Sequence, residues 1–366
     1  MSVFEQADFD QPKFQTKIPS GSFELGQPAT ENDWDASDES VSLELKLVDP
    51  KDVIGSSASP IVIGVPTFRR PKSLINTLNS LAALETDLCF TILVADNDAE
   101  GNEGLEAVER LKQLGYRWSI ESVSVPERGI SQVRNALVER AFADPAASAI
   151  VMVDDDQWVD PDWLDQLVAM QRRTKADVVG NRVVADFQCE VPRWANGLYV
   201  FGLCDRPGGP CSVIDGTGGV LLTRNVVELA NGFLFDVEFS MSGGGDSEFF
   251  ARIKNQGAQF AFSDLAVAHE VIDQTRMNKR WARRRAFRIG IGYMRIQKRH
   301  GGGGLSLFKE YFSAAVAACV SPLMILAHWS DPRKRMNDSL LFFRNLGKLS
   351  SLFAFKVNEY KTTIGS

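Results

Sequence analysis

The chain has 366 residues, of which 44% are hydrophobic and 24% charged, which excludes a wholly disordered, collagenous or polytopic membrane protein. At roughly 150 residues per domain, this length predicts about two domains. The formal net charge of −7 argues against a nucleic-acid-binding protein. The total, however, combines three regions, with net charges of −8 over residues 1–60, −13 over residues 61–273 and +14 over residues 274–366.

The cysteines and the N-terminus predict the compartment. The five cysteines are Cys89, Cys189, Cys204, Cys211 and Cys319. Their number is odd and they form no C-x-x-C pair, which favours a reducing compartment over a secreted disulfide framework. The N-terminus is acidic and lacks the apolar segment of a signal peptide. We therefore expect the protein in the cytoplasm or on the cytoplasmic face of a membrane.

Regular structure is predicted from residue 61 onward. Residues 1–58 are polar and acidic with weak periodicity, so we predict a disordered or loosely attached arm. Ile61–Val65 is an apolar run suited to a strand buried on both faces, and Pro71 marks the first turn of a helix. Further strands are predicted at Phe90–Ala95, near Trp118–Val125 and at Ala149–Val153, with helices around Glu103–Leu114 and Ser131–Phe142. This alternation predicts an α/β fold with a mostly parallel sheet.

The C-terminal hundred residues differ in character. Arg276–Arg299 is a basic, helical pattern in which Arg280, Arg284 and Arg288 share one face. Such a stripe suits nucleotide phosphates, a lipid diphosphate or anionic headgroups, although a solvated basic face is the alternative.

An uncharged apolar segment follows the basic helix. Tyr311–Ser330 has no Asp, Glu, Lys or Arg and is long enough to span a bilayer, but Pro322 and several polar residues disfavour that orientation. We predict apolar helices that lie in the headgroup region of an anionic membrane. The alternative is that these helices pack on the rest of the protein or form a homodimer contact.

Carboxylates follow two of the predicted strands. Asp154, Asp155 and Asp156 come directly after an apolar strand, and ligands of open parallel sheets bind beyond the carboxyl ends of the strands. Asp154 and Asp156 point the same way in an extended segment and are suited to Mg²⁺ or Mn²⁺. Asp96 and Asp98, after the second strand, offer oxygens to a base or a sugar. The alternatives are a solvated turn for the first group and an Asx-type turn for the second.

Five motifs occur in a defined order between residues 60 and about 300. They are Pro66-Thr67-Phe68-Arg69-Arg70-Pro71, Val94-Ala95-Asp96-Asn97-Asp98, Gly129-Ile130-Ser131 with Arg134-Asn135, Asp154-Asp155-Asp156, and Gly243-Gly244-x-Asp246. Together they resemble family 2 glycosyltransferases, and Pro192-Arg193-Trp194 and His269-Glu270 resemble the bacterial exopolysaccharide branch of that family. The resemblance implies the GT-A fold, a Rossmann-like and mostly parallel sheet flanked by helices. With the composition, it divides the chain into the arm, a catalytic domain over residues 59–272 and a basic and apolar helical extension over residues 273–366.

The resemblance also assigns donor and metal roles. The residues expected to bind the donor nucleotide are Pro66, Thr67, Arg69, Asp96, Asp98, Arg134, Asp154 and Asp155. Asp154 and Asp156 would form the D-x-D pair that holds Mg²⁺ or Mn²⁺ on the diphosphate, with Asp156 as the first candidate for direct ligand. His269 would complete the metal shell, and a purely structural histidine is the alternative.

The acceptor side carries the expected base. Asp246 matches the aspartate that takes the proton of the acceptor hydroxyl, and a helix N-cap is the compatible alternative. The family usually has Glu before this Asp, where this chain has Gly245, and Glu248 is a candidate replacement. The residues predicted to bind acceptor or phosphate are Trp194, Gly218, Glu248, Arg284 and Arg288. Core packing for Trp194 and a plain turn at Gly218 are the alternatives.

These assignments predict an inverting, metal-dependent glycosyltransferase. Its donor would be a UDP-sugar, with glucose or another hexose, and its acceptor a lipid-linked saccharide on the anionic inner-membrane surface, in exopolysaccharide or surface polysaccharide synthesis. A homodimer or a polysaccharide-assembly complex is the expected protein partner, and no nucleic acid is expected. The alternatives are a catalytically degenerate scaffold, which the loss of Glu at Gly245 favours, and a sugar nucleotidyltransferase, whose Gly-rich phosphate loop with a lysine is missing from Pro66–Pro71.

Overall fold

The computed structural model describes residues 54–202, 206–214, 216–240, 243–301 and 303–353. Most of the predicted acidic arm, residues 1–53, lies outside the described residues, as do Cys204 and residues 354–366. The strands are β1 (Ile61–Thr67), β2 (Phe90–Asp96), β3 (Ile120–Ser124), β4 (Ala149–Met152), β5 (Gln157–Val159), β6 (Val178–Phe187), β7 (Gly209–Cys211), β8 (Val220–Thr223) and β9 (Phe260–Ile272). The helices are α1 (Pro71–Ala82), α2 (Glu103–Gln113), α3 (Ile130–Phe142), α4 (Trp163–Thr174), α5 (Asn225–Leu229), α6 (Gly245–Asn255), α7 (Lys279–His300), α8 (Gly304–Ala327) and α9 (Pro332–Ser350).

The described strands form one sheet in the order β3-β2-β1-β4-β8-β6-β9-β5, and β7 also pairs with β9. Strands β3, β2, β1 and β4 are mutually parallel, and β6 and β9 run in the same direction. Strand β8 is antiparallel to β4 and β6, and β5 and β7 are antiparallel to β9. The predicted α/β fold with a mostly parallel central sheet flanked by helices is therefore confirmed.

Two apolar cores cover the two faces of the sheet. Ile61, Ile63 and Val65 of β1 are fully buried among residues of α1, α2 and α4. Ile150 and Met152 of β4 are buried on the opposite face, among residues of α3 and α6. Because successive residues of a strand point to opposite faces, one apolar run supplies both cores.

The C-terminal helices form a layer in which α9 packs against both α7 and α8. Helix α7 starts at Lys279, three residues later than the basic pattern predicted, because the Asn278 side chain caps it by accepting from the Trp281 N–H at 2.8 Å. Helices α7 and α9 approach closely at Gly290 and Gly347, where a Cβ atom would meet backbone of the facing helix. The domain boundary predicted at residue 272 stays a prediction, although β9 ends at that residue.

Helix α8 begins at Gly304, seven residues before the predicted apolar segment. Within the described residues it is the single helix that is long and apolar enough to cross a membrane, with a mean hydropathy of 1.6 in an 18-residue window of which 11% is buried. Gly245 and Gly304 each end a run of glycines in the sequence, and each is the first residue of a helix.

Candidate active site

Three parallel strands end at one edge of the sheet, and the residues that follow them build the candidate site. Thr67 at the end of β1 is in register with Asp96 at the end of β2. Strand β4 pairs with β1 on its other side and leads into Asp154, Asp155 and Asp156. The topology therefore brings the carboxylates that follow β2 and those that follow β4 to the edge where parallel sheets bind ligands.

Asp96 is buried and held by backbone donors. Its Oδ2 accepts from the N–H groups of Gly104 at 2.8 Å and Leu105 at 3.3 Å, in the first turn of α2, and its Oδ1 accepts from the Asp98 N–H at 2.9 Å. These bonds suit an anion at a helix N-terminus. The local geometry thus matches the Asx-type alternative, and the nucleobase contact predicted for Asp96 stays a prediction.

Arg69 and Asp98 form a bidentate pair beside this turn. The Arg69 Nε and Nη2 atoms donate to the two oxygens of Asp98 at 2.9 and 3.0 Å. This hydrogen-bonded guanidinium lowers the pKa of the Asp98 carboxyl. Arg69 has a φ of +53°, a left-handed conformation that is uncommon outside glycine. Pro66, by contrast, is buried within β1 in register with Ala95.

Asp155 faces β1 and α1. Its Oδ2 accepts from the Thr67 hydroxyl at 2.8 Å, and its Oδ1 accepts from the Arg70 Nη1 at 3.3 Å. Burial and then the neighbouring charge of Asp156 raise the pKa of the Asp155 carboxyl to about 7, while the charge of Arg70 opposes the rise. Asp155 and Thr67 therefore bind one another in the structure, although each was predicted to bind the donor.

Two arginines converge on Asp156. Its Oδ2 accepts from the Arg70 Nη1 at 3.2 Å and from the Arg276 Nη2 at 3.1 Å. The other arm of Arg276 donates to Glu270 at 2.9 Å. Burial raises the pKa of the Glu270 carboxyl, while the charges of Arg285 and Arg276 oppose that rise. Asp156 is thus the most strongly compensated carboxylate of the three.

Asp154 points toward α3 and α6. Its nearest cation is Arg134, with 3.6 Å between Oδ1 and Nη2, and Arg134 is largely buried in the first turns of α3. Burial raises the pKa of the Asp154 carboxyl, the charges of Asp156 and Asp246 raise it further, and Arg134 opposes them. Asp154 therefore lies within electrostatic reach of both Asp156 and Asp246.

Asp246 lies in the first turn of α6. Its Oδ1 accepts from the Ser247 N–H at 2.7 Å. A Cβ built on Gly216 would stand 3.4 Å from its Oδ2, so the β7–β8 connection approaches the carboxylate closely. A Cβ on the preceding Gly245 would stand 3.3 Å from both the Phe239 Cβ and the Ser131 Oγ. This tight packing gives a steric reason for glycine at the position where the family usually has glutamate.

Glu248 also lies in the first turn of α6, but its side chain binds residues of α6 and α7. It is fully buried, and its Oε1 lies 2.8 Å from the His300 Nε2 and 3.2 Å from the Arg252 Nε. Its carboxylate thus connects α6 with the C-terminal end of α7. The acceptor contact predicted for Glu248 stays a prediction without support from these contacts.

His269 has a partner outside the aspartate cluster. Its Nε2 lies 2.9 Å from Asp160 Oδ1, and its ring stacks on Trp158 with 3.6 Å between ring centroids. The next residue of β9, Glu270, is the one that reaches Arg276 beside Asp156, as strand alternation requires. No group of three or more metal-ligating side chains occurs in the described residues. The geometry matches the structural alternative for His269, and its metal role stays a prediction.

The remaining predicted residues have diverse surroundings. A Cβ on Gly218 would meet Gln157 Nε2 at 2.6 Å and Asp154 Oδ2 at 3.1 Å, so Gly218 packs closely against the cluster. Trp194 packs on the apolar cluster between the segment around Phe201 and α7, which matches its core-packing alternative. Arg284 is exposed, and Arg288 is partly buried.

Sequence reasoning overlooked four residues that shape the site. Arg70, Glu270 and Arg276 form the network around Asp156. Asn97 accepts from the Gly129 N–H at 2.7 Å and donates to the carbonyls of Val125 and Glu127, which fixes the start of α3 against β2. Arg70 and Asn97 lie inside two of the motifs quoted above, next to residues that the motifs assign to the site. That proximity is the sequence signal that could have identified them.

The fold and site define an α/β protein with an acidic, arginine-lined crevice at the carboxyl edge of a parallel half-sheet. The sequence model described as Glycosyl transferase family 2 matches residues 62–220. The succinoglycan biosynthesis protein ExoM of Rhizobium meliloti (strain 1021) is 33% identical over 313 residues, which cover 82% of this chain and 94% of that protein. The chain belongs to glycosyltransferase family 2 and is a glycosyltransferase, which confirms the resemblance drawn from its motifs.

Two further likenesses are more limited. The galactofuranosyltransferase GlfT2 of Mycolicibacterium smegmatis is 27% identical over 124 residues, which cover 32% of this chain and 19% of that protein. The mannosyltransferase PcManGT from Pyrobaculum calidifontis, solved in complex with GDP-Man and Mn²⁺, aligns with a TM-score of 0.56 at 16% identity. That alignment covers 83% of this chain and 90% of that structure and supports the GT-A-like fold.

Proposed function

We propose that this glycosyltransferase moves a hexosyl group, with glucose as the first candidate, from a UDP-sugar to a hydroxyl of a lipid-linked saccharide. The reaction would serve exopolysaccharide or surface polysaccharide synthesis. The extent of the likeness to a succinoglycan biosynthesis protein supports this setting. The observation that carries the proposal is the position of Asp246, at a helix start and close enough to Asp154 to raise its pKa.

The donor would lie along the strand ends. Thr67 and Arg69 at the end of β1 and the turn after β2 would border its nucleoside, as the motifs imply. Arg134 would meet the negative charge of the diphosphate, because it is the cation nearest to Asp154. Gly218 would let the backbone approach the donor sugar, since even a Cβ there collides with Gln157.

The carboxylates fit a divalent cation that the donor helps to hold. Burial raises the pKa of Asp154, Arg134 opposes that rise, and the charges of Asp156 and Asp246 add to it, so a cation bound there would stabilise the ionised carboxylate. Mg²⁺ and Mn²⁺ commonly take one or two carboxylates and complete their shell with water and substrate phosphates. Asp154 and Asp156 would be its ligands, and the ion would compete with Arg70 and Arg276 for Asp156. Bound there, the ion would neutralise charge on the departing diphosphate.

Asp246 would act as the general base. Its carboxylate would take the proton of the acceptor hydroxyl while the acceptor oxygen forms a bond to the anomeric carbon. The bond between that carbon and the diphosphate oxygen breaks, its electron pair leaves with UDP, and the configuration inverts. Arg134 would stabilise the negative charge that develops on the leaving group.

A donor screen tests this proposal. Purified protein with Mn²⁺, or with a chelator, is mixed with UDP-glucose, other UDP-hexoses and GDP-mannose, and released nucleoside diphosphate is measured. We expect metal-dependent release from a UDP-hexose, and an acceptor hydroxyl should give a product of inverted configuration by NMR. Release from GDP-mannose alone would overturn the UDP assignment, and retained configuration would overturn the role of Asp246.

Two other functions have less support. Family membership leaves the nucleotidyltransferase alternative without support. A degenerate scaffold rests on the loss of Glu at position 245, but Gly245 is explained by packing, and Asp154, Asp156 and Asp246 remain grouped. A scaffold predicts no diphosphate release from any donor with any acceptor.

A further inference from the structure

Helix α8 presents a continuous apolar stripe to solvent. Its large side chains recur every three or four residues and are 44–71% exposed. They are Leu305, Phe308, Phe312, Val316, Val320, Leu323 and Leu326. Trp329 extends the stripe just beyond the helix. With 24 residues, α8 and its stripe are about 36 Å long. An ordinary protein surface exposes single apolar side chains and no continuous stripe of this kind.

The opposite side of α8 is fixed to the protein. Ala314, Ala318 and Ser321 are buried, and α9 is the helix that covers α8. Near the start of α8, Glu310 accepts from Lys348 at 3.0 Å, and beyond its end His328 lies 2.7 Å from Asp338. Helix α8 therefore packs along the length of α9, and its apolar stripe faces solvent.

The exposed charges of the three C-terminal helices have one sign, although the partly buried Asp331 caps α9 beside Arg333 and Lys334. The exposed charged residues of α7, α8 and α9 are all basic, and the acidic residues of these helices are buried or partly buried. The exposed ones are Lys279, Arg280, Arg284, Lys298, Arg299, Lys309, Arg333 and Lys334. Lys309 stands in the first turns of α8, and Arg333 and Lys334 stand just after its end. An apolar surface with cations at both ends complements an anionic bilayer.

We propose that α8 docks the enzyme on an anionic membrane by lying in the plane of the interface, with its stripe against the acyl chains and the basic residues among the headgroups. This inference goes beyond the proposed reaction and does not depend on it, because docking needs neither donor nor acceptor.

The same contacts argue against a spanning orientation. A spanning α8 would carry α9 with it, including Arg344, Lys348 and Asp338, and charged side chains at the centre of a bilayer are strongly unfavourable. They also argue against two copies pairing through their stripes. Because Lys309 and Arg333 stand at opposite ends, either parallel or antiparallel pairing would bring cations together.

Vesicle flotation tests the docking surface. The full chain is mixed with vesicles of phosphatidylglycerol in phosphatidylcholine or of phosphatidylcholine alone. We expect binding to the anionic vesicles that high salt weakens. Replacing both phenylalanines, Phe308→Ser with Phe312→Ser, should lower the partition coefficient by about a hundredfold, since each removes a large apolar side chain from the interface. The matched control is Leu114→Ser, a 74% exposed leucine at the end of α2, which should bind like the parent.

Cys319 supplies a natural depth probe, because it is exposed on α8. A chain whose other four cysteines are serine is labelled there with an environment-sensitive fluorophore. A chain that keeps only the exposed Cys89 is the control. We expect a blue shift on anionic vesicles at Cys319 alone, with stronger quenching by headgroup than by chain-end quenchers. Circular dichroism confirms that each variant is folded.

Three outcomes would overturn the proposal. Folded protein that ignores anionic vesicles excludes docking. Stronger quenching by chain-end quenchers, with resistance to alkaline extraction, indicates a spanning helix. A concentration-dependent dimer that Phe312→Ser dissociates, without vesicle binding, indicates a second copy of this chain as the occupant. None of these results bears on diphosphate release, so failure here is separable from failure of the proposed reaction.

Discussion

The crevice at the sheet edge and the C-terminal helical layer use charge in opposite ways. In the crevice, carboxylates outnumber the arginines placed among them, and Asp156 has two arginine partners while Asp154 has one at 3.6 Å. In the helical layer, every exposed charged side chain of α7, α8 and α9 is basic, and the acids are at least partly buried. Under the two proposals above, the crevice would bind a cation and the helical layer would face an anionic surface.

The two regions are not separated at one position in the sequence, because a residue of the basic segment contributes to the crevice. Arg276 belongs by position to the +14 segment, yet both arms of its guanidinium bind carboxylates of the acidic crevice. Arg284, eight residues later, is exposed. A charge sum over a segment therefore indicates the excess of one sign, whereas the role of each residue depends on which elements pack around it.

The largest effect is expected in the crevice, at Asp246. Asp246→Asn keeps the side-chain volume but removes the proton acceptor, so turnover should fall by about 10²–10⁴-fold with donor binding retained. Diphosphate release and donor titration measure the two quantities. The matched control is Asp162→Asn, an exposed carboxylate before α4 near the far end of α1, which should keep full turnover. A variant at Asp246 that retains turnover, or still restores polysaccharide synthesis in cells, would favour the scaffold alternative.

The next effect tests whether the helical layer depends on close packing. Gly347→Ala places a Cβ 2.0 Å from the Phe287 carbonyl oxygen in α7, and backbone atoms cannot move aside cheaply. We expect unfolding free energy to fall by about 3 kcal/mol. Gly292→Ala, in the same layer but with no atom within 4 Å, should raise it by about 0.5–1 kcal/mol through helix propensity. Urea unfolding measures both, and equal effects would mean that α7 and α9 are not in close contact.

The sequence predicted the parallel strands β1 to β4 better than the side-chain contacts of the candidate site. Ile61–Val65 and Phe90–Ala95 are apolar runs whose length and flanking residues indicate buried strands locally, and the strand ends follow from them. The contact between Arg276 and Asp156 joins residues 120 positions apart, and no local pattern records it. Sequence also could not tell which face of β9 each side chain takes: Glu270 contacts Arg276 beside Asp156, whereas His269 contacts Asp160, and the metal role of His269 stays a prediction.

Near the junction of the two regions, Glu248 is buried and Glu238 is exposed, and each lies close to cationic side chains. Glu248→Gln removes the charge that binds His300 and Arg252, so unfolding free energy should fall by about 2–3 kcal/mol, the range for hydrogen bonds to charged groups. Glu238→Gln, at a 72% exposed residue 3.6 Å from Arg299, should cost about 0–1 kcal/mol. Chemical denaturation of both variants measures the difference. If Glu248→Gln is as mild as Glu238→Gln, the link between α6 and α7 does not stabilise the fold.

The smallest effect concerns Asp155 and depends on pH. Its pKa is raised from 3.8 to about 7, so between these values the folded chain holds a proton that the unfolded chain has lost. Stability from this group is therefore complete below pH about 4 and is lost as pH rises toward 7. Asp155→Asn removes the titration, so in a chelator it should stabilise the protein by about 1–2 kcal/mol at pH 8 and by much less at pH 5.

Thermal unfolding of the Asp155→Asn variant at the two pH values measures that difference, with Asp162→Asn as the matched variant at an exposed carboxylate. An equal shift at pH 5 and pH 8 would mean that Asp155 ionises normally. Its neighbours would then balance all three adjacent carboxylates without a cation. A shift confined to pH 8 would mean that burial and the charge of Asp156 keep Asp155 protonated below pH about 7, against the opposing charge of Arg70. A buried carboxylate beside like charges is the property that separates the crevice from the basic helical layer.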